Sequence, residues 1–119
     1  MTTRQTGRVA EEKALAYLQG KGLKLVTRNY NCRLGEIDLI MRDKDYLVFI
    51  EVRSRTNTNY GGGLASITYT KKQKIIRATT YYLMNNRVYD QFPLRFDVIS
   101  LDGVNSSIVW LKDAFGMDY

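Results

Sequence analysis

Histidine is absent from this 119-residue chain, and cysteine and proline occur once each, as Cys32 and Pro93. Without histidine there is no Ser-His-Asp or Cys-His relay and no imidazole metal ligand, which leaves carboxylate and carbonyl oxygens as metal donors. A lone cysteine forms no intrachain disulfide and no cysteine-cluster zinc site, so a reducing compartment is expected. No run approaches the roughly 20 apolar residues that cross a bilayer, and residues 1–5 lack the apolar centre of a signal peptide. The expectation is a cytoplasmic protein with no membrane partner. Repeats, low-complexity stretches and linkers are also missing, so residues 1–119 read as one domain, with 45% hydrophobic and 25% charged residues as in ordinary globular chains.

What is present in excess is positive charge, unevenly placed. The net +6 divides into +5 over residues 1–34, −2 over 35–53, +6 over 54–95 and −3 over 96–119. Basic segments flank an acidic centre, an arrangement suited to drawing in a polyanion and presenting it to acids that hold a cation. Solvated Lys and Arg on exposed faces would give the same totals.

Within that acidic centre, Asp38 lies in Gly35-Glu36-Ile37-Asp38-Leu39-Ile40 and Glu51 in Phe49-Ile50-Glu51-Val52-Arg53. Both runs alternate with the period of a strand. Ile37, Leu39 and Met41 fall on one face of the first, with Glu36, Asp38 and Ile40 opposite. In the second, Val48, Ile50 and Val52 oppose Leu47, Phe49, Glu51 and Arg53. The turn Asp43-Lys44-Asp45-Tyr46 makes the two an antiparallel hairpin, which sets position 38 across from 51 and 36 across from 53. Opposed side chains have Cβ atoms about 4.5–5.5 Å apart, so two carboxylates meet on a partly apolar surface. Such a pair is costly unless neutralised. Mg²⁺, with its preference for oxygen ligands, resolves the cost in one way; an ion-pair cluster with Arg53 or Arg33 resolves it in another. Spacing alone leaves both open.

Around this hairpin, residues 3–21 read as an amphipathic helix ended by Gly22, with Glu11 on the stripe of Ala14, Leu15 and Leu18, and Glu12 turned outward. Residues 23–32 read as the first strand, 36–42 and 46–53 as the acidic hairpin, and 54–66 as a polar loop whose Tyr60-Gly61-Gly62-Gly63 lacks the Lys-Ser/Thr of a phosphate loop. A second helix runs to about Asn86, with Thr70 and Gln73 at capping-box spacing. Ile75, Ile76, Thr79, Tyr82 and Leu83 form its core stripe, and Lys71, Lys74 and Arg77 line an adjoining face with Tyr81. That face fits phosphate contact and base stacking, and equally a solvated cationic surface. Residues 95–101 and 107–112 read as the last two strands, Trp110 as core, and residues 113–119 as a loosely packed tail.

Helix, three strands, helix, strand, with Asp on the second strand and Glu-x-basic on the third, resembles the PD-(D/E)xK nuclease superfamily, whose fold is the restriction endonuclease-like one. The resemblance is closer still to the YraN family of bacterial proteins, regarded as endonucleases related to archaeal Holliday junction resolvases. It spans nearly the whole chain through Gly7-Arg8 with Glu11, Ala14 and Tyr17-Leu18, through Arg28-Asn29, residues 35–40 and 48–55, Tyr60-Gly61, Lys71, Arg95-Phe96-Asp97-Val98 and Asp113-Ala114-Phe115.

That resemblance implies an α/β domain of order αβββαββ, with a mixed five-stranded sheet flanked by helices, and a Mg²⁺- or Mn²⁺-dependent DNA endonuclease acting on branched or single-stranded substrates. Asp38 and Glu51 would hold the metal with the Val52 carbonyl, Glu11 would be a third acid nearby, and Arg53 would occupy the position of the superfamily lysine. Lys71, Lys74, Arg77 and Arg55 would meet the nucleic acid. Arg53 is the departure that matters: its guanidinium stays protonated and cannot act as a base, although it can stabilise charge on phosphorus. Lys71 or Lys74 is then the candidate replacement amine. An inactive nucleic-acid-binding module of the same fold, and an interaction protein, a homodimer included, remain the rival expectations.

Overall fold

Helix α1, Thr3–Gly20, turns its Ala10, Ala14, Leu15 and Leu18 onto one face of a β-sheet. It stops at Gly22, which adopts φ 99°. The Gly22 N–H donates to the Gln19 carbonyl at 3.0 Å and the Leu23 N–H to the Leu18 carbonyl at 3.1 Å. This is the paired closure of a helix end that a left-handed residue permits, and glycine supplies that conformation without strain. Residues 3–55, 67–88, 91–102 and 107–117 are described by the structure, a computed structural model, and the side chains of residues 3–7 and 55 fall outside that description.

Five strands follow: β1 Lys24–Cys32, β2 Gly35–Asp43, β3 Tyr46–Arg55, β4 Leu94–Asp102 and β5 Ser107–Phe115. They lie side by side in chain order. Neighbours are antiparallel except β3 and β4, which pair in parallel from Leu47↔Leu94 to Arg55↔Asp102. A parallel pair needs a crossover, and helix α2, Tyr69–Asn85, supplies it. The element order is thus αβββαββ, the restriction endonuclease-like arrangement implied by the resemblance.

Three layers result. On the α1 side, Leu39, Met41, Val48, Ile50, Ile99 and Leu101 close the core. On the α2 side, Ile40, Leu47, Phe49, Phe96 and Val98 meet Ile75, Ile76, Ala78, Tyr82 and Leu83. The α2 stripe matches the periodicity in the sequence, with Ala78 added. Its cap, however, is Thr68 rather than Thr70: Thr68 has extended backbone, and its Oγ1 accepts the Lys71 N–H at 3.1 Å.

Two other expectations change. Ile37 packs on the α2 side instead of joining Leu39 and Met41. The β2–β3 ladder begins only at Leu39↔Ile50, while β1 and β2 stay paired back to Cys32↔Gly35. The start of β2 is therefore free to bend with β1 toward α2, and a Cβ on Gly35 would stand 2.8 Å from the Lys74 carbonyl oxygen. The expected loose tail is in part strand: β5 continues to Phe115, which is 5% exposed and stacks on Phe96 with ring centroids 5.0 Å apart. No helix among the described residues is long and apolar enough to cross a membrane.

Candidate metal and nucleic-acid site

The site forms where β2 parts from β3. Beyond Leu39↔Ile50 the backbone ladder ends, and the Asp38 side chain takes over: its Oδ2 accepts the Val52 N–H at 2.8 Å. The register deduced from the turn holds through Leu39↔Ile50; the expected pairs of 38 with 51 and 36 with 53 lie beyond the ladder, where a carboxylate stands in place of a backbone bond. On an extended strand a residue's N–H and C=O leave from the same edge, so the Val52 carbonyl also faces this opening.

Burial and the neighbouring Glu51 charge push the Asp38 carboxyl up to about 7, against the lowering pull of the Val52 N–H, with Glu11 and Glu36 adding smaller repulsions. Glu51 itself is 6% exposed. Glu51 has the Arg53 pairing that the sequence left open, but Asp38 beside it is costly when ionised, and a hard divalent cation would relieve both its repulsion and its desolvation. Asp38, Glu51 and the Val52 carbonyl thus fit a metal as a donor set. Among the described residues no group of three or more acids and cysteines gathers as a metal cluster. The offer is two carboxylates and a carbonyl, a donor set of the kind that commonly binds Mg²⁺ together with water and phosphate oxygens.

Cations crowd Glu51 from two elements. Lys71 Nζ, reaching from the first turn of α2, lies 3.1 Å from Glu51 Oε1, and Arg53 Nη1, two residues along β3 on the same face, lies 3.6 Å from that oxygen. The Thr68 cap sets the phase of α2 that aims Lys71 at the sheet. Sequence reading offered Lys71 both as a phosphate contact and as a substitute amine, and its contact with Glu51 puts it beside the acids.

Glu11 reaches the same region from α1. It is tied loosely to Arg28, with Nη2 3.9 Å from Oε1, whereas Glu12 takes that nitrogen at 2.6 Å. Burial raises the Glu11 carboxyl, partly offset by Arg28 and by a side-chain hydrogen bond from Asn29. Its Oε1 is buried without a hydrogen-bond partner. Asn29 sits in β1 at φ 53°, a conformation asparagine tolerates better than most residues. The roles of Arg28 and Asn29 in holding Glu11 escaped the reading of residue spacing, since no periodicity reports a positive φ inside a strand.

Lys74 and Arg77 are exposed on α2, with Tyr81 one turn beyond at 45% exposure. The Arg55 side chain and residues 56–66, with Tyr60-Gly61, lie outside the described residues. A second polar centre, unforeseen as such, holds β4 to β5. Asp97, with no exposure, accepts two hydrogen bonds from Arg95 at 2.9 Å, one from Trp110 Nε1 at 2.9 Å and one from the Asp113 N–H at 3.0 Å. Arg95 also meets Asp43 at 2.9 Å. With its acceptors filled by the protein, Asp97 is a structural clasp. Trp110 is half-buried beside it, edge-on to Tyr17.

Residues 10–101 match the model of a family described as "Uncharacterised protein family UPF0102". Curated relatives run the length of the chain. A UPF0102 protein of Legionella pneumophila strain Corby is 65% identical over 113 residues, covering 95% of this chain and 96% of that one. One from Nitrosospira multiformis is 48% identical over 120 residues, covering 100% and 99%. One from Pseudomonas fluorescens is 45% identical over 111 residues, covering 93% and 92%.

Proposed function

The chain belongs to protein family UPF0102, the YraN family of the sequence resemblance, and we propose that it is a divalent-cation-dependent DNA endonuclease that hydrolyses phosphodiester bonds at the opening between β2 and β3. The observation that carries this reading is the convergence of Asp38, the Val52 backbone, Glu51 and the Lys71 ammonium from three separate elements. A structural ion pair has no need of a second acid whose proton is held up to about 7.

Asp38 and Glu51, with the Val52 carbonyl, would hold Mg²⁺ or Mn²⁺. When bound, the cation supplies polarisation of the phosphate and acidification of a water. Lys71 Nζ, already beside Glu51, would orient an attacking water and neutralise charge growing on the non-bridging phosphate oxygens. Arg53 remains protonated and adds a second fixed positive charge on the same side. Glu11, half-buried and loosely paired with Arg28, would be a third acid near the cation. Lys74 and Arg77 position the phosphate backbone without reading sequence.

The test is purified protein with Mg²⁺ or Mn²⁺ against duplex, single-stranded, flap and four-way DNA, beside Asp38→Asn and Glu51→Gln. Cation-dependent cutting that vanishes in both variants supports the reading. Salt-sensitive binding by all three proteins, with no cutting of any substrate, instead supports a binding module, the alternative that Arg53 in the lysine position favours.

A further inference from the structure

A cavity of about 490 Å³ opens between the β1–β2 turn and the start of α2. Asn31, Cys32 and Glu36 line one side, Thr70, Lys71 and Lys74 the other. Lys71 is common to this cavity and to the carboxylates, since its Nζ contacts Glu51. Two backbones form one margin: Gly35 lies so close to α2 that even a methyl group would press on the Lys74 carbonyl. From Lys74 an exposed stripe of α2 leads away through Arg77 to Tyr81, at spacings of three and four residues that keep all three on one side of the helix.

Resting on the nuclease reading, we propose that this cavity receives one unpaired nucleotide adjoining the scissile phosphate, and that the unpaired DNA strand continues over Lys74, Arg77 and Tyr81. The volume falls within the roughly 300–1,000 Å³ of small-ligand pockets. A base enters such a space only if it is taken out of its stack or is already single-stranded. The lining suits a nucleotide: the Lys71 and Lys74 ammonium groups face phosphate, whereas the Asn31 amide and the Glu36 carboxylate offer hydrogen bonds to the edge of a base. Beyond the cavity, two cations followed by an exposed aromatic ring make the pairing of backbone contact and stacking surface by which single strands are bound without strict sequence preference. The substrate class is therefore DNA with an unpaired nucleotide at the cut, and uninterrupted duplex is excluded.

Cys32, the chain's one cysteine, reports occupancy without any need for cleavage. In Ca²⁺ buffer, the rate of Cys32 alkylation by iodoacetamide is followed by mass spectrometry with a saturating 12-nucleotide thymidine strand or a 12-base-pair blunt hairpin duplex, binding of each being verified by fluorescence anisotropy. The expected result is at least tenfold slowing by the single strand and less than twofold by the duplex. A companion variant, Thr70→Trp, fills the cavity from an exposed helical position and is expected to weaken single-strand binding about tenfold with an unchanged circular dichroism spectrum. Equal protection by duplex, no protection by bound single strand, a Cys32 inert in the free protein, or unaltered affinity in Thr70→Trp each overturns the cavity assignment. The nuclease reading survives these four results if cation-dependent cutting is seen; failure of both DNAs to bind sinks both, whereas failure of the duplex alone agrees with the cavity assignment.

Discussion

Lys71 Nζ stands 3.1 Å from Glu51 Oε1, an amine from α2 delivered to an acid of β3. Where the superfamily pattern has a lysine on β3 itself, this chain has Arg53, 3.6 Å from the same oxygen. If Lys71 carries the missing role, Lys71→Met lowers cleavage by roughly 10²–10⁴-fold, the range for loss of a positioned proton-handling group, with DNA affinity changed far less. Arg53→Met costs less than Lys71→Met. Single-turnover kinetics on one substrate ranks the two, and the reverse order would assign the role to Arg53.

Asp38 gives a pH signature in the metal-free protein. Its carboxyl is raised from 3.8 to about 7 by burial and by Glu51, so between those values the folded state holds a proton that the unfolded state has lost. The stability from this group is complete below about 4 and is lost as pH rises through about 7. In chelating buffer, thermal unfolding of the native protein is expected to weaken over that interval relative to Asp38→Asn, whose neutral amide cannot ionise. Parallel pH profiles for the two proteins would contradict this.

Cation uptake has the opposite sense. An ion held at the proposed site would displace the Asp38 proton, so Mn²⁺ is expected to stabilise the fold at pH 8 more than at pH 5. At a concentration 100 times the dissociation constant the gain is about 2.7 kcal/mol, readable as a rise in midpoint temperature that Glu51→Gln reduces.

Asp97→Ala is expected to destabilise the fold by about 3–5 kcal/mol, the cost of stripping one partner from a buried pair. Arg95, with its side chain 11% exposed, keeps Asp43 but loses its two bonds to Asp97, and Trp110 loses its acceptor. Chemical denaturation measures the change. Gly35→Ala, which pushes a methyl group toward the Lys74 backbone, is expected to cost about 1–3 kcal/mol as overpacking.

The strand alternation of residues 36–53 made the hairpin, its register and both acids legible, because apolar period and turn length fix pairing across a buried sheet. The α2 core stripe was legible for the same kind of reason. Ile37 was not: its packing depends on where β2 leaves β3, and the ladder breaks at a carboxylate that replaces a backbone bond. The Thr68 cap and the Asn29 conformation turn on single dihedral angles. The Asp97 clasp and the cavity beside Lys71 join residues far apart in the chain, where no local pattern speaks. Phe115 belonged to a segment that read as loosely packed, and its pairing across from Phe96 and stacking on that ring place it in the core.

The most direct measurement is isothermal titration of Mn²⁺ into the protein at pH 8 with an uncleavable phosphorothioate strand bound. Saturable uptake that is abolished by Asp38→Asn and by Glu51→Gln is the predicted result. Absence of uptake, or uptake equal in the native protein and both variants, would contradict a cation held between β2 and β3.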